Sequence, residues 1–318
     1  MPARAIWWHS GSQRPKFFNG LRDTFFVELL YQRRGAKTKV KSMSEFAVQP
    51  LLETPTVTIR DVYCMGSCRQ RGAEECTATT QLVFPYRGVF VRHLGSGEAV
   101  AEANQVLFFN ATEGYCVSHP VPGGDASLTV IISESLLREM APRTLLRDGA
   151  ALAFRQHRLR IDPRAQVLVA LLRHSLRERV AEHLEAESLA LTLVQRALGP
   201  RTTHAAGATV GRQRLVDRAK LVLASDLARR WSLAEIAAEV RGSPVYLTQV
   251  FQQVEGVPLY RYHLRLRLAR ALDLLAEYDD LTALSLDLGF SSHSHFSAAF
   301  RDTYGRSPSG FRQSALHR

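Results

Sequence analysis

Ser243-Pro-Val-Tyr-Leu-Thr-Gln-Val-Phe251 opens with a residue that caps a helix and a proline at the first helical position, where a missing N–H costs nothing. Leu247, Val250, Phe251 and Val254 recur at helical spacing and predict one buried face. The opposite side presents Val245, Tyr246, Thr248, Gln249 and Gln252. Just upstream, Ser232 and Glu235 read as a capping box that opens a helix over 233–239. Arg241-Gly242 then turns the chain. Helix, glycine turn and helix together make a helix-turn-helix unit over 233–254.

A second unit follows over 281–304. Leu281, Leu284, Leu286 and Leu288 predict a first helix ending near Gly289, and Ser292 caps a second that runs to Tyr304 and stops at Gly305. Phe296 and Phe300 take the anchoring places of Leu247 and Phe251, which leaves His293, Ser294, Ser297, Ala298 and Arg301 outward. His293 and His295 can each be read as surface or core histidines; His293 is the one expected to face DNA, and His295 is not. Between the units, Pro258–Glu277 predicts one helix with Leu264, Leu268, Leu272 and Leu275 inside and Arg261, Arg265, Arg267 and Arg270 outside. About 20 residues at 1.5 Å each span about 30 Å, close to the ~34 Å of one DNA turn, so two recognition helices could enter successive major grooves. A Gln amide can bond bidentately to the adenine edge, which makes Gln249 the leading base reader.

Here the sequence resembles a known family. Gly289-Phe-Ser-Ser-His-Ser-His-Phe-Ser-Ala-Ala-Phe-Arg301, followed by Gly305-Arg-Ser-Pro308 and Phe311-Arg312, together with the Ser243–Phe251 stretch, resembles the AraC/XylS transcription regulators. The resemblance covers residues 213–318. It implies base contacts from Val245, Thr248 and Gln249 in the first unit and from His293, Ser294, Ser297 and Ala298 in the second. It also implies double-stranded DNA and RNA polymerase as partners, with activation the family's commoner mode. Members often carry Arg or Lys where Gln249, Gln252 and Ala298 stand, which predicts weak binding unless the chain dimerises.

Charge supports this only in part. The 318 residues carry a formal +11, and their number favours two compact domains over one. The excess is +7 in residues 1–42, +1 in 43–212 and +3 in 213–318, so most of it lies outside the proposed DNA-binding part. Residues 1–42 are expected to form a disordered basic tail; the alternative is an arm that touches phosphates. Phe25–Tyr31 is too short for the apolar core of a signal peptide, and no stretch approaches the ~20 apolar residues of a membrane span. A cytoplasmic protein is expected.

Residues 43–150 predict a small antiparallel barrel or jelly roll from short runs separated by turn residues: Thr56-Val-Thr-Ile59, Gln81-Leu-Val-Phe84, Gly88-Val-Phe-Val-Arg92, Val106-Leu-Phe-Phe109 and Leu128-Thr-Val-Ile-Ile132. The segment resembles the cupin-like sensing domain of many AraC-type regulators. Glu134–Met140 reads as a helix. In the segment 151–198, a long amphipathic stretch from Pro163 to Leu198 carries Val167, Leu168, Leu171, Leu172, Leu176, Leu189, Leu193 and Val194. That stripe either packs on the barrel or contributes a homodimer seam. Residues 199–212 read as a linker. The whole is an α+β, multidomain chain with an all-α C-terminal domain.

An enzyme is not expected. No Ser/His/Asp grouping or Gly-rich phosphate loop is present, and the metal motif of cupin enzymes is missing, with His93 and His119 isolated. Cys64, Cys68 and Cys76 lie close in sequence, with Cys116 and His119 further on, and are candidate ligands for Zn²⁺ or another thiophilic metal, or partners in a reversible disulfide. The spacing is not a strong zinc signature, and Cys116 between Tyr115 and Val117 reads equally as core. Arg69 and Arg71 would lower the pKa of a neighbouring thiol. The effector is thus a small molecule or a metal. The rival reading is a cupin-type small-molecule or metal-binding protein whose C-terminal helices form a partner-interaction module.

Overall fold

Leu82, Phe84 and Tyr86 lie on one side of a strand and Val83 on the other, and all four are buried. Such a strand needs an apolar layer on each side. The computed structural model describes residues 46–65, 69–95, 97–149, 151–199 and 209–315 and supplies both layers. The basic tail, Cys68 and residues 200–208 of the predicted linker lie outside the described residues.

The strands are β1 (Phe46–Glu53), β2 (Val57–Cys64), β3 (Gln81–Arg87), β4 (Phe90–Leu94), β5 (Gly97–Ala101), β6 (Gln105–Phe109), β7 (Cys116–Ser118), β8 (Asp125–Ile132) and β9 (Arg158–Arg160). They pair antiparallel in a six-stranded sheet, β1-β2-β8-β3-β6-β9, and a three-stranded sheet, β5-β4-β7. Val83, Leu107 and Phe109 pack against Phe90, Ala101 and Tyr115 between the sheets. The other face of the large sheet, with Ile59, Leu82, Phe84, Phe108, Leu128 and Val130, carries the larger core.

Ten helices close and extend this core among the described residues: α1 (Glu134–Met140), α2 (Pro163–Arg177), α3 (His183–Leu198), α4 (Val210–Ser225), α5 (Leu233–Glu239), α6 (Pro244–Glu255), α7 (Leu259–Leu274), α8 (Leu281–Asp287), α9 (His293–Tyr304) and α10 (Pro308–Ala315). An N-terminal sheet-rich region is thus followed by a C-terminal helical one.

Several expectations need correction. β1 carries Pro50, which masks the strand pattern; the proline is tolerated because β1 is an edge strand, and the register shifts between Pro50 and Leu52. β9 extends the sheet beyond residue 150 by pairing with β6, and its three residues are too few to show a period. The amphipathic stretch from Pro163 to Leu198 is two helices. The chain turns at 178–182, where Arg179 takes φ 56 and the Val180 amide bonds the Ser175 carbonyl. The helices run antiparallel, because Arg196 near the end of α3 bonds Asp162, the N-cap of α2. Thr209 caps α4, so residues 210–212 of the predicted linker are helical.

The stripe on α2 has partners within the chain on two sides. Ala165, Val169 and Leu172 enter the core beneath the large sheet, with Leu168, Leu176 and Leu189 packed at its margin. Ala170, Val167 and Leu171 instead join a core with Leu268, Leu272, Phe296 and Phe300 from the C-terminal helices. One helix therefore belongs to both regions. On the other side, Val89, Val91, Val100 and Val121 pack with Leu221 and Ala224 of α4.

Charges line the same junction. Arg158 on β9 donates two 3.0 Å bonds to Asp217 on α4. Lys220, fully buried, lies 2.7 Å from Glu255 on α6 and 3.8 Å from Glu102. Burial raises the Glu102 carboxyl; burial acts on Glu255 in the same sense, but Lys220, Arg160 and Arg158 outweigh it and lower that group. Further along, Asp273 on α7 pairs with Arg87 of β3 at 2.9 Å, Arg173 of α2 at 2.6 Å and Arg270 of its own helix. Tyr304 of α9 donates to Gln166 of α2 at 3.1 Å.

Candidate nucleic-acid interface

Each of two helices, α6 and α9, starts at a capping serine and ends at a left-handed glycine. The Ser243 hydroxyl accepts from the Tyr246 amide with Pro244 at the first turn, and Gly256 closes α6 at φ 65. The Ser292 hydroxyl accepts from the His295 amide, and Gly305 closes α9 at φ 79. Local chemistry alone places these ends. Ser243→Ala is expected to cost about 1 kcal/mol, read as a lower urea midpoint with an unchanged slope. An unchanged midpoint would show that the cap is redundant.

Packing then fixes which side faces outward. Leu247, Val250, Phe251 and Val254 are buried on α6 with α4 and Tyr262, while Val245, Tyr246, Thr248, Gln249 and Gln252 are exposed. Val245 is 68% exposed, an unfavourable place for an apolar side chain facing only water. The Thr248 hydroxyl donates to the Pro244 carbonyl at 2.9 Å and keeps its lone pairs free to accept. The Gln249 and Gln252 amides project from the same surface.

On α9 the anchors Phe296 and Phe300 are fully buried and His293, Ser294, His295 and Arg301 are exposed. Ser297 and Ala298, expected outward, are half-buried. His293 Nε2 lies 3.2 Å from Ser297 Oγ, so these two side chains form one polar pair. His295 Nδ1 lies 3.1 Å from Ser291 Oγ. Leu286 is 56% exposed, so the first helix of this unit is anchored by Leu281, Leu284 and Leu288 instead.

The preceding helices are also capped. Ser232 and Glu235 form a reciprocal box at the start of α5, and the Ser232 hydroxyl and amide, with Arg229, lower Glu235 to about 2. The Asp280 side chain accepts from the Thr282 amide at the start of α8.

Between the units α7 spans 16 residues, about 24 Å at 1.5 Å per residue, and not the whole of Pro258–Glu277. Pro258 is its N-cap, and Glu277 and Tyr278 turn back on the Leu274 carbonyl. Its arginines are not all outside. Arg265, Arg267 and Arg270 are half-buried, because α7 is packed from several directions. Arg267 donates to the carbonyls of Leu227, Ala228 and Arg229 before α5 and of Gly289 after α8. Beside it, burial and the Arg267 charge lower His263 to about 4, leaving a neutral ring within 3.1 Å of the Leu227 carbonyl. One guanidinium thus ties both units together. Sequence periodicity placed this residue outside because its acceptors come from segments far away along the chain.

With this geometry in view, a helix-turn-helix domain family model matches residues 236–314. The probable transcriptional regulator LumQ of Photobacterium leiognathi is 29% identical over 161 residues, 48% of this chain and 61% of that protein. The HTH-type transcriptional activator RhaR of Klebsiella pneumoniae is 31% identical over 107 residues, 33% of this chain and 38% of that one. A crystal structure of an AraC-type DNA-binding-domain regulator from Chromobacterium violaceum is 30% identical, covering 34% of this chain and 96% of its own, with a TM-score of 0.32.

Residues 236–314 thus form an AraC-type helix-turn-helix domain.

The match spans under two thirds of the length of either of these AraC-type relatives. ToxT of Vibrio cholerae is 13% identical over 86% of this chain and 99% of its own, with a TM-score of 0.33. No helix among the described residues of this AraC-type chain is long and apolar enough to cross a membrane.

The cysteine candidates separate in space. Cys64 meets His119 and Asp125, whereas Cys76 is exposed, Cys116 is half-buried on β7, and Cys68 lies outside the described residues. His119, expected to be isolated, is part of this group. His93, the register partner of Cys116 across β4 and β7, has its Nε2 2.8 Å from Ser118 Oγ and its Nδ1 3.3 Å from Glu98. Arg71 pairs with Glu98 at 3.1 Å.

Proposed function

We propose that this chain is a sequence-specific, double-stranded-DNA-binding transcription regulator that reads base edges with α6 and α9. The observation that carries the reading is the pair of capped helices, α6 anchored on one side by buried Leu247, Val250, Phe251 and Val254 and α9 by buried Phe296 and Phe300, with amides, imidazoles and hydroxyls on the other side available for hydrogen bonds. Such groups discriminate base pairs through their edges in the major groove. In this reading Val245, Tyr246, Thr248, Gln249 and Gln252 face one groove segment and His293, Ser294, Ser297, Ala298 and Arg301 the other.

The N-terminal sheets act as a cupin-like sensing domain, and the helix shared by the two cores carries a change between them. The regulator works in the cytoplasm and is an activator that engages RNA polymerase. Homodimerisation uses the apolar surface left at the α2–α3 turn, where Val180 and Leu184 are 50% and 75% exposed. Sedimentation of the full chain measures it.

Genomic footprinting of the full chain tests the main reading: protection at two adjacent major-groove segments supports it, and uniform or absent protection overturns it. Gln249→Ala is expected to relax preference at one base pair by about 1–3 kcal/mol. Equal loss on specific and random DNA would show that Gln249 does not read a base.

A further inference from the structure

Cys64 ends β2 and is the register partner of Asp125, which opens β8. His119 follows β7, so three separate strands bring one thiol, one imidazole and one carboxylate together. Cys64 Sγ lies 3.4 Å from His119 Nε2, and His119 Nδ1 lies 2.6 Å from Asp125 Oδ2. The turn before β8 is held tight: Gly124, at φ +72, approaches so closely that a Cβ there would lie 2.5 Å from the Cys64 carbonyl oxygen.

The imidazole uses its two nitrogens in opposite directions. One ligand atom from each of the three groups lies within 4.8 Å of the others, close enough to hold an ion, but in the arrangement observed the two ring nitrogens engage different partners, sulfur at Nε2 and carboxylate at Nδ1. The arrangement instead matches a nucleophile paired with an imidazole that a carboxylate orients. Asp125 accepts from Nδ1–H, which leaves the Nε2 lone pair facing sulfur, where it can accept the thiol proton; the imidazolium so formed then holds that proton on Nε2 beside the sulfur.

From this relay we infer that Cys64 is a reactive thiol, open to modification by peroxides and other small soft electrophiles. With a peroxide, the thiolate sulfur attacks one oxygen; an S–O bond forms as the O–O bond breaks. Sulfur is oxidised to the sulfenic acid and the peroxide is reduced. The departing hydroxide takes the proton from His119 Nε2 and leaves as water. The segment that carries His119 and Asp125 also contains Val121, which packs with Leu221 and Ala224 of α4. The segment that supplies both partners of the thiol thus also packs against the helical region.

The test uses the reduced full chain, limiting iodoacetamide at pH 7 and peptide mass mapping, with exposed Cys76 and half-buried Cys116 as internal references. Cys64 is expected to alkylate about ten-fold faster than Cys76 despite its burial. Hydrogen peroxide followed by a sulfenic-acid trap is expected to mark Cys64 first. His119→Gln and Asp125→Asn should each bring the Cys64 rate to that of Cys76 or below, with the Cys116 rate unchanged as a check on folding. Should Asp125→Asn unfold the sheet and expose Cys116, His119→Gln alone decides. The inference is overturned if Cys64 reacts no faster than Cys76, if His119→Gln leaves its rate intact, or if a stoichiometric thiophilic metal protects it until chelated. DNA binding enters none of these readouts, so their failure is distinct from failure of the regulator reading.

Discussion

Asp273→Ala is expected to destabilise the folded chain by about 3–5 kcal/mol, read by urea unfolding followed by circular dichroism. The carboxylate is 1% exposed and receives three guanidinium groups. Arg87 comes from β3 and Arg173 from α2, so the loss falls on the contact between the sheet-rich region and α7. Arg173 lies over the Tyr86 ring at 3.9 Å, and its Nε and Nη1 have no hydrogen-bond partner. Arg270 is already lowered to about 10 by burial and by Arg87. Without the carboxylate, three buried or half-buried cations face one another. Asp273→Asn keeps the shape but not the charge and should lose most of the same stability. A loss below about 1 kcal/mol in both variants would mean that the apolar packing of α2 holds the junction by itself.

The second large effect is expected at Arg267. Arg267→Ala removes the guanidinium from four carbonyls, of which that of Leu227 keeps His263, and should cost about 3 kcal/mol, with loss of affinity for a two-segment DNA site. Arg267→Lys should recover only part, because an ammonium cannot reproduce the planar fork that reaches several carbonyls at once. Gly289→Ala probes the same joint from the other side. Gly289 takes φ +78, and a Cβ there would lie 2.1 Å from the Ala228 carbonyl oxygen. Mobility shift on DNA with one or two segments separates the effects: loss confined to the two-segment site points to the joint between units. Full affinity of Arg267→Ala for the two-segment site would remove the guanidinium from any role in spacing the recognition helices.

Much of the proposed recognition surface is legible in the amino-acid sequence, and for a local reason. Ser232, Ser243 and Ser292 act on amides three residues away, and Gly256 and Gly305 stop helices through their own backbone freedom. The buried and exposed sides of α6 follow from a 3.6-residue period. The same logic misplaces Leu286, Ser297 and Ala298, whose exposure depends on neighbouring helices. In the N-terminal region, five apolar runs mark strands, while β1, β5, β7 and β9 escape the pattern. Pro50 disguises the first, and β7 and β9 have three residues each. The apparent single helix through 163–198 hides a turn because periodicity continues on both sides of it.

Caps, glycine stops and periodicity act within a few residues, so the chain itself carries the start and end of α6 and α9 and the anchored side of α6. That α2 fills two cores, that Asp273 gathers arginines from three elements, that Arg267 joins the two units and that Cys64, His119 and Asp125 meet became visible only in the folded arrangement. Each of these depends on groups that lie far apart along the chain. Burial, which makes them strong, exists only once distant strands and helices have closed around them.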